Sequence, residues 1–184
     1  MTNLFDTGVA VSLPQVLDVK EYLAHRQQEI LTNHPNESLL SFRLNIPGPI
    51  KTNDALVQVF DHFQNQFIQV LTAQQHPFVI EERQTNPAGD WLLLRVQTPP
   101  LTLKTIGTQL EEASDLSRLC DFDVLYLKDQ QLTSVHRTEI GHAKRQCLIC
   151  HETAKVCSRS RRHSVLEMQT KINQLVQQFL LTQK

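Results

Sequence analysis

The apolar positions of the chain repeat with helical spacing in three places. Between Asp54 and Gln75 they return every three or four residues, which predicts a helix with one buried face. The segment SLPQ (12–15) has the residues of a capping box with an early proline, and predicts an amphipathic helix that ends near residue 33. The buried face of the helix from Asp54 is expected to contain Leu56, Phe60, Phe63, Phe67, Val70 and Leu71.

The third helical pattern opens at SVLE (164–167), a second capping box. It carries an apolar stripe that is predicted to pack against the rest of the protein. A shorter helix is expected around residues 102–113. The stripe of the last helix consists of Val165, Met168, Ile172, Leu175, Val176 and Phe179.

Shorter apolar runs predict strands between these helices. SLLSFRLNI (38–46) is one of them, and it ends at PGP (47–49) because proline interrupts helices and central strands. FVIEER (78–83) and DWLLLRV (90–96) predict two strands joined by the loop TNPAG. RLCDFDVLYL (118–127) predicts a further, buried strand.

This order of helices and strands favours the α+β class, with a mixed sheet flanked by helices. We expect a single domain over residues 1–184, because the chain is long enough for one core. Its 40% hydrophobic and 20% charged residues are typical of a globular protein. A Cys/Arg-rich segment, residues 145–163, lies within that domain as a loop before the last helix.

Location follows from what the chain lacks. No stretch reaches the roughly 18 apolar residues of a membrane-spanning helix. The first residues have no basic region before an apolar one, as a secretory signal would. We therefore expect a cytoplasmic protein without membrane contact, whose thiols stay reduced. Its four cysteines then favour metal binding, a redox role or plain packing over disulfides.

Charge is divided unevenly along the chain. The net charge of −1 combines −7 over residues 1–136, with 9 Lys+Arg and 16 Asp+Glu, and +6 over residues 137–184, with 9 and 3. The C-terminal quarter is therefore expected to contact an anionic ligand or to pack against the acidic remainder. The charge count does not choose between the two.

Asp121 and Asp123 form a D-x-D pair within a predicted strand. Side chains two residues apart point to one face, so the carboxylates converge while Phe122 and Val124 face the other way. Close carboxylates repel each other, and a divalent cation such as Mg²⁺ relieves that repulsion while also binding substrate phosphates. The pair predicts a phosphoryl- or nucleotidyl-transfer site; two solvated aspartates at a strand end are the alternative.

Three further residues are candidates for the same site. Glu111 precedes the pair by ten residues and is expected to bring a third catalytic carboxylate near it. Arg118 and Lys51 are candidate phosphate contacts, the lysine because it follows a Pro-Gly turn where the backbone can approach a ligand. Solvated surface charges are the alternative for both.

The Cys/Arg-rich segment has the spacing C-x2-C-x6-C-x5-H. Cys147, Cys150, Cys157 and His163 are therefore a candidate Cys₃His zinc site, with His151 as a substitute ligand. The spacing differs from that of the usual paired knuckles, and reduced, partly buried cysteines are the alternative. A thioredoxin-like motif is the weaker interpretation.

Arginines follow the cysteines and precede the Ser164 cap of the last helix. Arg159 and Arg161 suit phosphate, because the guanidinium is a planar fork and a helix N-terminus attracts anions. Arginines solvated in a loop are the alternative. Nucleic acid is disfavoured, because the rest of the domain is acidic and the basic run contains no aromatic residue for stacking.

Taken in order, three stretches resemble the signatures of the apo-citrate lyase phosphoribosyl-dephospho-CoA transferases, also called holo-citrate-lyase acyl-carrier-protein synthases. The first is NIPGPIK (45–51), and the second runs from LE (110–111) to SRLCDFDV (117–124). The third and most specific is R-x-C-L-x-C-x3-A-x2-C-x-R-x-R-x-H from Arg145 to His163. The resemblance spans residues 38 to 166.

The resemblance implies a metal-dependent transferase, similar at fold level to nucleotidyltransferases. It implies transfer of phosphoribosyl-dephospho-CoA from its triphosphate precursor to a serine of the citrate lyase acyl-carrier subunit, with release of pyrophosphate. Asp121 and Asp123 would hold Mg²⁺, and the basic residues, Arg145 included, would hold phosphates.

One departure and two alternatives accompany this hypothesis. Where the family pattern reads PLGRL, the chain has DLSRL (115–119), and Ser117 is expected either to supply a hydroxyl to phosphate or to lower efficiency. The alternative function is a non-enzymatic, zinc-stabilised module that binds nucleic acid or an acidic protein through residues 137–163. A factor that holds the carrier subunit without modifying it is the third hypothesis.

Overall fold

A computed structural model describes residues 3–183. The predicted helices and strands are confirmed, and the sequence did not predict two further elements, a short helix within the Cys/Arg-rich segment and a strand over Gln131–Ser134. The helices are α1 (Leu13–Asn33), α2 (Asp54–Ala73), α3 (Pro100–Glu112), α4 (Ala154–Ser160) and α5 (Val165–Thr182). The strands are β1 (Ser38–Leu44), β2 (Phe78–Gln84), β3 (Trp91–Val96), β4 (Cys120–Lys128) and β5 (Gln131–Ser134).

The five strands form one sheet in the order β2-β3-β1-β4-β5. The α+β class is confirmed, but the expectation of a mixed sheet was wrong, because every neighbouring pair is antiparallel. The reason lies in the helical connections. Helix α2 joins β1 to β2, and α3 joins β3 to β4, and each connection skips one strand. Strands that run in the same direction are therefore never adjacent.

The main core lies between one face of the sheet and helices α2, α3 and α5. At its centre Phe42 stacks on Phe60 and on Phe122, with ring centroids 4.4 Å apart in each pair. The predicted face of α2 is confirmed: all of its named positions are buried except Val70, which is half-buried. In α5 the prediction was wrong for Val165, which is 50% exposed because the first turn of the helix extends beyond this core.

The opposite face of the sheet is covered by α1 alone. Leu23, Ile30 and Leu31 of this helix pack against Leu39 and Leu93 of the central strands. Because one helix is narrower than the sheet, part of this face stays accessible. Polar and charged side chains of β1 and β4 occupy that part, and those of β4 include the aspartates that the sequence singled out.

Helix α3 packs unusually close to β4. A Cβ at Gly107 would lie 3.0 Å from the Cβ of Phe122, so only glycine fits there without displacement. On either side of this contact, Lys104 Nζ donates to the carbonyl of Phe122 at 2.7 Å, and Glu111 Oε1 accepts from its N–H at 2.8 Å. These main-chain groups need side-chain partners because β5 pairs only with Leu125–Lys128.

Within residues 3–183, no helix combines the length and the hydropathy required to cross a membrane.

Candidate active site

Strand β4 presents its two carboxylates on the accessible face, as the sequence predicts. Phe122 and Val124 point into the main core and are fully buried. On β1, Arg43 lies directly opposite Asp121, and Ser41 lies directly opposite Asp123. Antiparallel pairing thus surrounds the acidic pair with polar groups of the neighbouring strand.

The two carboxylates differ in their surroundings. Asp121 Oδ1 accepts a hydrogen bond from Arg145 Nη2 at 3.2 Å, which neutralises part of its charge. Asp123 keeps access to solvent, but protein atoms crowd its carboxylate, and this desolvation together with the charge of Asp121 raises its pKa to about 6. Lys104 and Arg145 lower the pKa of Asp123 and so oppose the rise. A cation between the two carboxylates would remove the repulsion.

Glu111 lies near the pair, but its carboxylate is already occupied. Its side chain is 1% exposed, and Oε2 accepts from Arg137 Nη2 at 2.6 Å and forms an ion pair with Arg145 Nη2 at 2.8 Å. The Phe122 N–H donates to Oε1, so both carboxylate oxygens of Glu111 have partners. Arg145 joins Glu111 to Asp121. The geometry therefore favours a positioning role for Glu111, and the predicted catalytic role stays a prediction.

We expect Glu111→Gln to lower the free energy of unfolding by about 3 kcal/mol, because removal of one member of a buried charge network leaves the arginines without their counter-ion. Urea denaturation followed by circular dichroism measures this change. Glu112→Gln is the matched control: its side chain is 47% exposed, and its loss should cost less than about 1 kcal/mol. Equal effects of the two changes would contradict the network.

Lys51 lies beside the site but does not point freely into it. Its Nζ donates to the carbonyl of Ile46 at 2.7 Å. Desolvation lowers the pKa of Lys51, and the charges of Arg43 and Lys20 lower it further, so three cations converge at this end of the sheet. Lys51 therefore lies near Arg43, the residue opposite Asp121, and its role as a phosphate contact stays a prediction.

Sequence reasoning missed Arg43 and Lys20. Desolvation lowers the pKa of Arg43, while the charges of Asp121 and Asp90 raise it. Its Nη2 donates to the carbonyl of Ala88 at 2.9 Å. The alternation of Ser41 and Arg43 along a predicted strand was the available signal, since it marks a polar face.

The Cys/His group is brought together by a small closed loop. Gln146 and Thr153 form an isolated bridge, and Cys147 N–H donates to the carbonyl of Glu152 at 2.7 Å. Helix α4 follows the loop and contains Cys157, which it places close to the other two cysteines. The helix ends at Arg161, whose backbone is left-handed with φ of 50°. The ligand atoms of Cys147, Cys150, Cys157 and His163 all lie within 4.8 Å of one another.

Three sulfurs and an imidazole at this separation suit a metal ion. Cys150 Sγ lies 3.4 Å from Cys157 Sγ and 3.2 Å from His163 Nε2. Desolvation and hydrogen bonds with Cys150 and Cys147 raise the pKa of Cys157 to about 11, because several thiolates cannot coexist here without a cation. The Ile149 N–H approaches Cys147 Sγ at 3.5 Å, a contact that favours a thiolate at that position. The group can therefore hold a metal ion.

The remaining predicted phosphate ligands have different surroundings. The strand begins at Cys120, so Arg118 lies in a 3-10 turn before it, and its Nη2 donates to the carbonyl of Cys147 at 2.7 Å. Arg145 is engaged with Glu111 and Asp121. Arg159 and Arg161 are exposed at the end of α4.

The sequence model of the apo-citrate lyase phosphoribosyl-dephospho-CoA transferases matches residues 11–179, which include every site residue described above. The chain belongs to this family. A probable apo-citrate lyase phosphoribosyl-dephospho-CoA transferase of Streptococcus pyogenes serotype M3 is 39% identical over 177 residues, covering 96% of this chain and 91% of the relative. The resemblance noted in the sequence is confirmed, and so is the prediction of a transferase.

Two other relatives extend the comparison. The apo-citrate lyase phosphoribosyl-dephospho-CoA transferase of Shigella flexneri serotype 5b is 29% identical over 167 residues, or 91% of this chain and 89% of the relative. Protein CitXG of Leuconostoc mesenteroides subsp. cremoris is 33% identical over 180 residues, 96% of this chain but 37% of that longer protein.

The departure from the transferase pattern at Ser117 has a structural explanation. Ser117 is fully buried, and its hydroxyl donates to the carbonyls of Glu111 and Ser114 at 3.2 and 2.9 Å. It also accepts from the Ser114 N–H at 2.9 Å. The hydroxyl therefore closes the turn before β4. These bonds occupy it and so speak against the alternative in which it faces phosphate, and the other alternative, a lower efficiency, stays a prediction.

Proposed function

We propose that this transferase moves 2′-(5″-phosphoribosyl)-3′-dephospho-CoA from its triphosphate precursor to a serine of the citrate lyase acyl-carrier subunit. The observation that carries the proposal is the position of Asp121 and Asp123. The stretch lies within the residues that the family model matches, Arg43 lies opposite Asp121 on β1, and Arg145 contacts Asp121. Such a mixed-charge group suits attack on a phosphate ester.

In the proposed reaction the serine hydroxyl attacks the α-phosphorus of the triphosphate. A new bond forms between the serine oxygen and phosphorus, the bond from phosphorus to the bridging oxygen breaks, and pyrophosphate leaves with the bonding electrons. The serine proton passes to a carboxylate oxygen. Asp123 suits this step, because it is the more exposed carboxylate of the pair.

The arginines and lysine supply the positive charge that the leaving group requires. Arg43 and Arg145 lie beside Asp121 and Lys51 lies near Arg43, so together they can bind the oxygens of the triphosphate and then of pyrophosphate. Arg145 also holds Asp121 in place, and the buried carboxylate of Glu111 holds Arg145 through an ion pair. Catalysis thus depends on a supporting layer of ion pairs behind the reacting groups.

Asp121 and Asp123 would hold Mg²⁺, which they fit because two accessible carboxylates plus substrate phosphates are its usual ligands. When bound, the cation would neutralise charge on the triphosphate. Glu111 does not fit as a third ligand, since its oxygens already accept from Phe122, Arg137 and Arg145.

We further propose that the Cys/His group holds Zn²⁺ in a structural site. All four ligands, Cys147, Cys150, Cys157 and His163, come from the protein, which is typical of closed structural zinc sites. All four residues lie in or directly after one small loop that precedes α5, so a metal ion would hold that loop next to the start of α5. Chemistry at the carboxylates does not require this ion.

Intact mass spectrometry tests the proposed function. The apo carrier subunit is incubated with this protein, Mg²⁺ and triphosphoribosyl-dephospho-CoA, and its mass is measured over time. We expect a gain equal to the precursor minus pyrophosphate, localised by fragmentation to one serine. A carrier that binds the folded protein but keeps its mass would overturn the proposal and support a role in assembly without modification.

A further inference from the structure

A cavity of about 540 Å³ lies between the Cys/Arg-rich segment and the start of α5. It is where the three sequence motifs meet: Asn45 and Pro47 come from the first, Arg118 from the second, and Arg145 and Cys157 from the third. No step of the reaction described above uses this space. Its position and its lining indicate what it binds.

One wall of the cavity is apolar. Leu119, Leu148, Met168 and Ile172 contribute to it; the first two come from separate turns or loops, and the last two come from α5. An apolar surface of this extent favours the flat face of a heterocyclic base or another uncharged group. Met168 is half-buried here, although it belongs to the stripe that the sequence predicted to pack in the core.

The lining of the cavity also carries positive charge. Arg118, Arg145 and Arg161 all line the cavity, and His163 and Ser158 add polar groups. Arg118 is held by the carbonyls of Gln146 and Cys147 at 3.3 and 2.7 Å, so its guanidinium has a fixed position. Arginines held in this way suit phosphate oxygens. The cavity therefore combines an apolar wall with phosphate ligands.

Arg145 connects this cavity to the carboxylates. Its Nη2 contacts Asp121 Oδ1 at 3.2 Å, while the same side chain lines the cavity. A ligand in the cavity thus lies next to the site of phosphate attack. A long substrate can occupy both at once, with its reacting end at Asp121 and its other end between the loop and α5.

We infer that this cavity binds the adenosine diphosphate portion of the dephospho-CoA donor, with the base on the apolar wall and the diphosphate on the arginines. The inference rests on the proposed function for the identity of the donor. The uncharged pantetheine arm would offer no negative charge to Arg118 and Arg161, whereas a nucleoside diphosphate matches both the apolar and the charged parts of the lining. The arm is then expected to extend towards solvent.

Isothermal titration calorimetry with 3′-dephospho-CoA tests the inference on the whole chain. Met168→Trp places a large side chain in the cavity, and we expect it to weaken binding by at least about tenfold. Leu166→Trp is the matched control: it adds the same side chain to the same helix at a position 66% exposed, and should leave the affinity unchanged. Melting temperature and metal content of both variants verify that the fold is intact.

A second pair of variants tests the phosphate ligands. Arg161→Asn removes a charge from the cavity while keeping a residue that tolerates the left-handed backbone, and should weaken binding by about tenfold. Arg162→Asn removes a neighbouring charge that pairs with Glu152 and does not line the cavity, and should have little effect. ADP should compete with 3′-dephospho-CoA, and pantetheine should not.

The outcomes separate this inference from the proposed function. If the wild-type protein modifies the carrier but Met168→Trp and Arg161→Asn bind 3′-dephospho-CoA normally, the cavity assignment is wrong and the function stands. Absence of 3′-dephospho-CoA binding to the wild-type protein would also overturn the assignment. If the cavity variants lose binding while the carrier is never modified, the site stands and the proposed function fails.

Discussion

Asp121→Asn is expected to lower the rate of prosthetic-group transfer by at least about 100-fold while leaving the fold unchanged. The substitution removes one of two adjacent carboxylates, and with it the ion pair to Arg145. The amide cannot hold a divalent cation with the same strength, and it leaves Arg145 with one counter-ion fewer. Because Asp121 is 46% exposed, little stability should be lost.

Single-turnover mass spectrometry of the carrier subunit measures this loss, and the thermal midpoint shows that the protein is folded. Asp129→Asn is the matched control. It makes the same chemical change in the turn after the same strand, at an exposed residue with φ of 51°, where asparagine is readily accommodated. Transfer by Asp121→Asn within tenfold of the wild-type rate would remove this carboxylate from the reaction.

Cys150→Ser is expected to abolish metal binding at the Cys/His group, from about one ion per chain to near zero. Cys150 contacts both Cys157 and His163, so its loss removes the central ligand of the set. Because the metal would fix the loop that carries these residues, amide exchange over 145–163 should rise strongly. Exchange in β1 and β4 should change little, since their core contains none of these ligands.

Elemental analysis of protein purified without chelator gives the stoichiometry, and hydrogen exchange by mass spectrometry gives the local stability. Cys120→Ala serves as control, because Cys120 is buried at the start of β4, in the main core and outside the Cys/His group. It should keep the metal and lose about 1 kcal/mol of stability at most. Metal-free wild-type protein with normal protection over 145–163 would contradict a structural zinc site.

Local patterns were sufficient to predict most elements of this fold. Helix α2 has apolar residues at regular intervals, and α1 and α5 have capping boxes that the structure contains as predicted. The alternation around Phe122 correctly placed Asp121 and Asp123 on one face. Helix α4 was missed because its seven residues bury little besides Cys157, and so leave no periodic signal.

The sequence could not predict which residues pair with the site residues, because this pairing depends on contacts between segments that are distant in the chain. Nothing local indicates that Arg43 lies opposite Asp121, since this follows from the pairing of β1 with β4. The engagement of Glu111 by Arg137 and Arg145 likewise requires α3 to lie against β4. Sequence reasoning therefore identified the charged residues but not which of them are already paired.

The side chains that bond Phe122 have a consequence for association between chains. Beyond the end of β5, strand β4 is locally the edge of the sheet, and an edge with free N–H and C=O groups can recruit a strand from another molecule. Glu111 and Lys104 occupy both main-chain groups of Phe122. At this position the strand that carries the carboxylates cannot pair with a strand of a second copy, so the accessible charged face of the sheet is not accompanied by free main-chain groups at Phe122.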